Sequence, residues 1–220
     1  MAAWRATTEG RPMSSVIIHT NVFSPFGWTA RLTAAEKGVP HEVGPADVTS
    51  PEWRSLHPFG KMPVLRHGDV VVYETLAIAH YLDSAFAGPA LQPSDPLGQT
   101  TVLRWISVSN NYAFPVMNGL MKERSAAAWR SEPPDEAAIQ AMRAPLAQQL
   151  ELIGQAVTPG GFVVGDRFTL ADAFLFPLTH FVSFTPEGAQ ALAAAPAVAR
   201  WLDRMRARPA VEATNPMAAA

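Results

Sequence analysis

The chain has no cysteine among its 220 residues. Disulfides, thiolate metal sites and redox chemistry on a protein thiol are therefore excluded. Nor does any apolar run approach the roughly 18 residues of a membrane span. Leu170 to Leu178 is interrupted by Asp172, and the alanine-rich stretch after Gln190 meets Pro196. Blocks of one charge are missing too: 17 basic residues stand against 19 acidic ones for a formal charge of −2, and no basic segment suits a nucleic-acid backbone. Residues 1–13 lack the apolar centre of a secretory signal. They read as a flexible extension, or as sequence upstream of a start at Met13. These absences point to a cytoplasmic protein with a small neutral or anionic ligand, and with neither a membrane nor a nucleic acid among its partners.

What is present is apolar residues, 48% of the chain, and 20 prolines and 14 glycines that punctuate it. Ser15 to His19 reads as a buried strand. Ser24-Pro25 opens a helix, with Ser24 as cap and Pro25 at the first helical position, and Gly38 stops it. His41-Glu42-Val43 begins a second strand, and Pro51 to Leu56 a short irregular helical segment. Pro63 cannot donate a ladder hydrogen bond and so belongs at the start of a strand, with the backbone groups of Met62 left free. Arg66-His67-Gly68-Asp69 reads as a polar turn, Val70-Val71-Val72 as the returning strand. Leu76, Ala79 and Leu82 then recur at helical spacing behind Thr75, the expected cap.

Gly88 to Pro96 is a linker by composition. No strand is expected beyond it. One long helix should run from Asp95 to about Arg124, bent near Pro115, and another from Pro133 to Val157 with Pro145 inside. Thr169 and Asp172, three apart, form a capping box ahead of a buried helix, which makes Asp172 structural. Two shorter helices, Pro186 to Ala194 and Pro196 to Ala207, finish the chain. The expected division is an extension over 1–13, an α/β domain over 14–87, a linker over 88–96 and an all-helical domain over 97–220.

The chemistry concentrates where Glu74 and Thr75 open a helix opposite the loop His57-Pro58-Phe59-Gly60-Lys61-Met62-Pro63. A carboxylate, a hydroxyl and the free N–H groups of a first helical turn suit a zwitterionic head group. The ammonium would meet Glu74, and the carboxylate would meet Thr75 and the helix end.

This stretch resembles the glutathione-binding half of the cytosolic glutathione transferases, with their Gly-x-x-Pro-x-Leu loop, its proline cis, followed by a Glu-Ser-x-Ala-Ile helix start. The resemblance runs from about Ser15 to Arg208. It implies a thioredoxin-like N-terminal domain, a mixed sheet in βαβ-ββα order, followed by an all-α C-terminal domain. It further implies glutathione as co-substrate with no prosthetic group or metal, a small hydrophobic electrophile as second substrate, and a homodimer. Pro63 then matches the cis proline, Glu74 the γ-glutamyl ligand, and Thr75 the usual serine, while Met62 pairs with the cysteinyl backbone.

A free thiol of pKa near 8.5 is only a few per cent thiolate at neutral pH, so the site must favour the anion. Ser24, at the positive end of the first helix, can do so with one charge-assisted hydrogen bond. The run Ser24-Pro25-Phe26-Gly27-Trp28 looks like the omega class, whose members carry cysteine in the first position. Serine there activates glutathione in the phi, theta and zeta classes, which implies conjugation. The family's basic residue before Pro-Glu-Trp is Ser50 here, leaving Lys61 or His57 to hold the glycyl carboxylate. The resemblance places Phe26, beside Ser24, among the glutathione-binding residues; it can also join Trp28, Tyr112, Phe114 and Met117 in an apolar wall for the electrophile, and Asn110, unusual inside a helix, can face the same pocket. A glutathione-dependent isomerase or dehalogenase, or a binding protein without turnover, would use the same motifs.

Overall fold

The computed structural model describes residues 15–126 and 131–218, so the expected extension over 1–13 lies outside the described residues. A four-stranded mixed sheet of order β2-β1-β3-β4 forms the N-terminal layer. Strand β1 (Val16–His19) runs parallel to β2 (His41–Gly44) and antiparallel to β3 (Val64–His67), which pairs antiparallel with β4 (Val70–Tyr73). Alternation sets the inner face. Val16 and Ile18 are buried, their neighbours Ile17 and His19 only partly so, and Ile18 pairs with buried Leu65.

The two helices that flank the ligand edge start differently. In α1 (Pro25–Lys37), the Ser24 Oγ accepts the N–H of Gly27 at 3.2 Å, Pro25 occupies the first helical position, and Gly38 ends the helix at φ 76°. In α3 (Thr75–Ala85) the cap position belongs to Glu74 and not to Thr75. Glu74 sits at φ 69°, ψ 121° with no capping side-chain bond, and Thr75 is already helical. The β3–β4 turn is also shorter than the sequence suggests. Arg66 and His67 pair with Val71 and Val70, leaving Gly68-Asp69 as a two-residue connection with Gly68 at φ 60°. Ladder pairing prevails over the polarity of those side chains. Between β2 and β3 lies α2 (Pro51–Leu56), capped by Ser50.

The C-terminal layer is helical. The expected long helix is built as α4 (Pro96–Val108), a π-turn over Ser109–Ala113, and α5 (Phe114–Arg124). Pro115 lacks an N–H and would crowd the carbonyl of Asn111 in a regular helix, so a widened turn falls where the bend was expected. Asp135 caps α6 (Glu136–Ala156) through the N–H groups of Ala137 and Ala138, which moves the helix start past Pro133. At the centre lies α7 (Leu170–Val182), buried on every side except at Phe181. Its capping box forms: Asp172 accepts from Thr169 N–H and Oγ1 at 3.0 and 3.1 Å, from Val163 N–H at 3.0 Å, and from Trp201 Nε1 at 2.9 Å. Around it pack α8 (Pro186–Ala193) and α9 (Pro196–Arg206), while α10 (Pro209–Thr214), beyond the final helix read from sequence, packs on α1.

Helix α1 joins the layers. Trp28 is fully buried, packs edge-on against Phe176 and His180, and donates its Nε1 to Thr214 Oγ1 at 2.9 Å. Arg208 grips the Glu36 carboxylate with two nitrogens at 2.5 and 2.6 Å.

Candidate active site

Between the sheet layer and α5 opens a cleft of about 930 Å³. Its floor comes from the ends of α1 and α3 and from the loop before β3. Ser24, Phe26, His57, Lys61, Met62, Pro63, Glu74 and Thr75 all line it, so the eight residues assigned to glutathione from sequence stand in one cavity.

Each is fixed by its local chain. Ser24 uses one lone pair to accept Gly27 N–H, while its own proton has no acceptor among the described residues. A hydroxyl held this way presents its proton at the start of a helix, where the backbone dipole favours a negative charge. Close approach at this corner requires Gly27, because any Cβ there would overlap the Thr20 side chain. In α3 the first backward bond runs from Ile78 N–H to Glu74 C=O at 2.9 Å. The N–H groups of Thr75, Leu76 and Ala77 are thus the free donors of that first turn.

The loop is pinned from behind by Trp53, whose Nε1 donates to the Lys61 carbonyl at 2.9 Å. Met62-Pro63 is cis, and the Met62 backbone makes no backbone hydrogen bond among the described residues. That leaves one donor and one acceptor for an extended ligand. Glu74 is exposed, with Oε1 4.0 Å from the buried His57 Nε2. Burial depresses the His57 pKa, opposed by the Glu74 carboxylate, so the imidazole stands neutral beside Glu74. Lys61 points from an exposed position on the rim.

The electrophile wall is rearranged relative to expectation. Phe26 and Phe114 meet in a stack with centroids 4.5 Å apart, and both line the cleft together with Asn110. Trp28 and Met117 do not: both are 0% exposed in the core. Tyr112 is 62% exposed and also lies outside the cleft. Helical phase explains two of these. Phe26 and Trp28, like Tyr112 and Phe114, are two residues apart and point roughly 200° from each other, so only one of each pair can face the cavity. What sequence reasoning missed is Asn118, Lys122 and Ser125 on the same wall. Their signal was available, since Asn110, Phe114, Asn118 and Lys122 recur every four residues.

A mixed sheet whose serine-capped helix and Glu-Thr helix start open onto a helical wall is the arrangement that the resemblance implies for a two-domain enzyme of thioredoxin-like fold acting on a thiol peptide. Comparison with known proteins agrees. The glutathione S-transferase N-terminal domain model matches residues 23–85 and the C-terminal domain model residues 136–204. Glutathione S-transferase 3 of Zea mays is 31% identical over 186 residues, covering 81% of this chain and 83% of that protein. Glutathione S-transferase 4 of the same plant is 29% identical over 202 residues, covering 89% and 90%. The structure of glutathione S-transferase III in apo form superposes with a TM-score of 0.83 at 28% identity, over 91% of this chain and 95% of that one. The chain belongs to the glutathione S-transferase family. It is a glutathione transferase, with glutathione as its co-substrate.

Proposed function

We propose that the chain conjugates glutathione to a small electrophile through a thiolate stabilised by Ser24. The observation that carries this is the Ser24 hydroxyl, which accepts Gly27 N–H and keeps its proton free at the mouth of the cleft. Lowering the thiol pKa by about two units needs about 2.7 kcal/mol. One hydrogen bond to a charged group contributes about 1.5–3 kcal/mol and a helix end about 0.3–1 kcal/mol. The two together meet that requirement without a protein base.

In this reading the γ-glutamyl ammonium meets Glu74 and its carboxylate meets Thr75 and the free N–H groups of α3. The cysteinyl backbone pairs with Met62, and Lys61 receives the glycyl carboxylate. His57 lies beneath Glu74, its Nε2 4.0 Å from the Oε1 of that carboxylate. The sulfur lies over Ser24, facing the Phe26–Phe114 stack. Ser24→Ala tests the assignment: conjugation should fall at least tenfold while the affinity for glutathione changes little. Wild-type turnover in the alanine variant would refute it.

The working form we propose is a cytoplasmic homodimer engaged in detoxification. The dimer follows from the family resemblance, as does the detoxification role. Light scattering at micromolar concentration would refute the dimer by returning a monomeric mass with activity intact, and fractionation of native cells would test the compartment.

A further inference from the structure

The wall that faces the sulfur is not the apolar surface expected of a site for hydrophobic electrophiles. Along α4–α5, the residues lining the cleft are Asn110, Phe114, Asn118, Lys122 and Ser125. Four of the five are polar and one is a cation. Ser125 is committed, its hydroxyl donating to the Met121 carbonyl at 2.7 Å. Asn110 lies beside Phe114 with its Oδ1 buried and unpartnered. Lys122, two helical turns beyond Phe114 on the same face, is exposed, and its side chain makes no ion pair or hydrogen bond among the described residues. Neighbouring arginines are used differently: Arg124 is consumed by Glu136 and Glu187, with nitrogens at 2.7 and 2.5 Å from their carboxylates. The charges of glutathione are met in the proposed pose from the other side, by Glu74, the ends of α1 and α3, and Lys61. That leaves Lys122 as the cleft cation without an assigned anion.

Resting on the conjugation reading above, we infer that this wall selects an aromatic electrophile carrying an anionic substituent, its ring against the Phe26–Phe114 stack and its carboxylate or similar group at Lys122. The spacing suits this. Two turns of helix rise about 11–12 Å from Phe114 to Lys122, and a lysine side chain reaching back toward the helix start closes much of that distance, which leaves room for one ring and its substituent. Asn118, one turn from each, supplies an amide between ring and cation. In an aromatic substitution the glutathione thiolate forms the C–S bond, and the ring carbon releases chloride with the bonding electron pair. The anionic substituent takes no part in the bond changes, so Lys122 acts on selection of the substrate and not on the chemistry.

The test uses 4-chloro-3,5-dinitrobenzoate and its neutral methyl ester, each kcat/KM divided by the uncatalysed rate with glutathione in the same buffer. Wild type should prefer the benzoate on this normalised scale. Lys122→Met should lower the benzoate-to-ester ratio by about fivefold, the scale of one solvent-exposed charge contact, and Lys122→Arg should retain it. The wild-type preference should shrink with added salt, because the contact is exposed. An unchanged ratio in Lys122→Met overturns the inference while leaving the transferase reading intact. So does a rise in KM for glutathione with the ratio unchanged, which would assign Lys122 to the glycyl carboxylate. No wild-type turnover of either arene overturns the inference too, because the wall then accepts neither ring, whereas the conjugation reading stands or falls on Ser24→Ala.

Discussion

Glu74 combines a strained backbone with a ligand-facing carboxylate, and the two can be separated by substitution. At φ 69° and ψ 121° it lies outside the regions a non-glycine residue ordinarily occupies, at a cost on the order of 1–3 kcal/mol. Glycine relieves that strain but adds unfolded-state freedom worth about 0.5–1 kcal/mol, for a net gain centred near ~1 kcal/mol over alanine. In a chain of this length each kcal/mol moves Tm by about 2–4 °C. Glu74→Gly should therefore melt roughly 2–4 °C above Glu74→Ala. In the proposed pose both variants lose the charge-assisted contact with the γ-glutamyl ammonium, about 1.5–3 kcal/mol, so KM for glutathione should rise about tenfold to a hundredfold in each. Turnover should fall less, because this contact is remote from the sulfur and much of it is uniform binding. Differential scanning fluorimetry beside a full glutathione titration measures both. Equal melting temperatures would refute the strain argument, and an unchanged KM in both variants would reduce Glu74 to a helix-start residue.

Three further outcomes are expected. Gly27→Ala should displace the start of α1 from Thr20, cutting conjugation by at least tenfold and lowering Tm, and adding Thr20→Ala should restore part of both; an inert Gly27→Ala would refute the close-packing account. Asp172→Ala strands three buried N–H donors and a hydroxyl and should cost about 3–5 kcal/mol in urea unfolding, with KM unchanged in the protein that remains folded. His180 is held down to about 4 by burial and by the Arg206 charge, against 6.5 in an unfolded chain. Because the unfolded state then binds the extra proton, stability should fall by up to about 3 kcal/mol as pH drops from 6.5 to 4. Subtracting the pH dependence of His180→Gln should isolate that slope, and identical profiles would refute it.

The order of strands and helices was legible because its signals are local. Ser24-Pro25, Gly38, Pro63 and the Thr169/Asp172 box each act within a few residues of the backbone they cap or stop. The eight residues assigned to glutathione stood in three such short stretches, and folding needed only to bring those stretches together. The electrophile wall was harder to read because it depends on rotational phase. Trp28 and Met117 suit an apolar pocket by type, but their helix faces turn them into the core. Trp28 is held there partly by Thr214, 186 residues away, in a helix with no strong local signal. Glu74 as the cap of α3 escaped notice for another reason: nothing in its side chain announces a positive φ.

Whether the Ser24 hydroxyl holds the glutathione thiolate is read from an ultraviolet titration of the enzyme-bound thiol. Saturated with glutathione, wild type should show thiolate absorbance rising with an apparent pKa about two units below the free value of about 8.5. Ser24→Ala should return most of the way toward that free value, since about 1.5–3 kcal/mol of hydrogen bonding is lost and each pKa unit is about 1.4 kcal/mol. Ser24→Cys should keep a low-pKa sulfur at the helix end and gain a mixed disulfide with glutathione, which the cysteine-free wild type cannot form. If Ser24→Ala instead titrates like wild type and conjugates as fast, the hydroxyl is only a helix cap and the thiolate is stabilised by another group in the cleft.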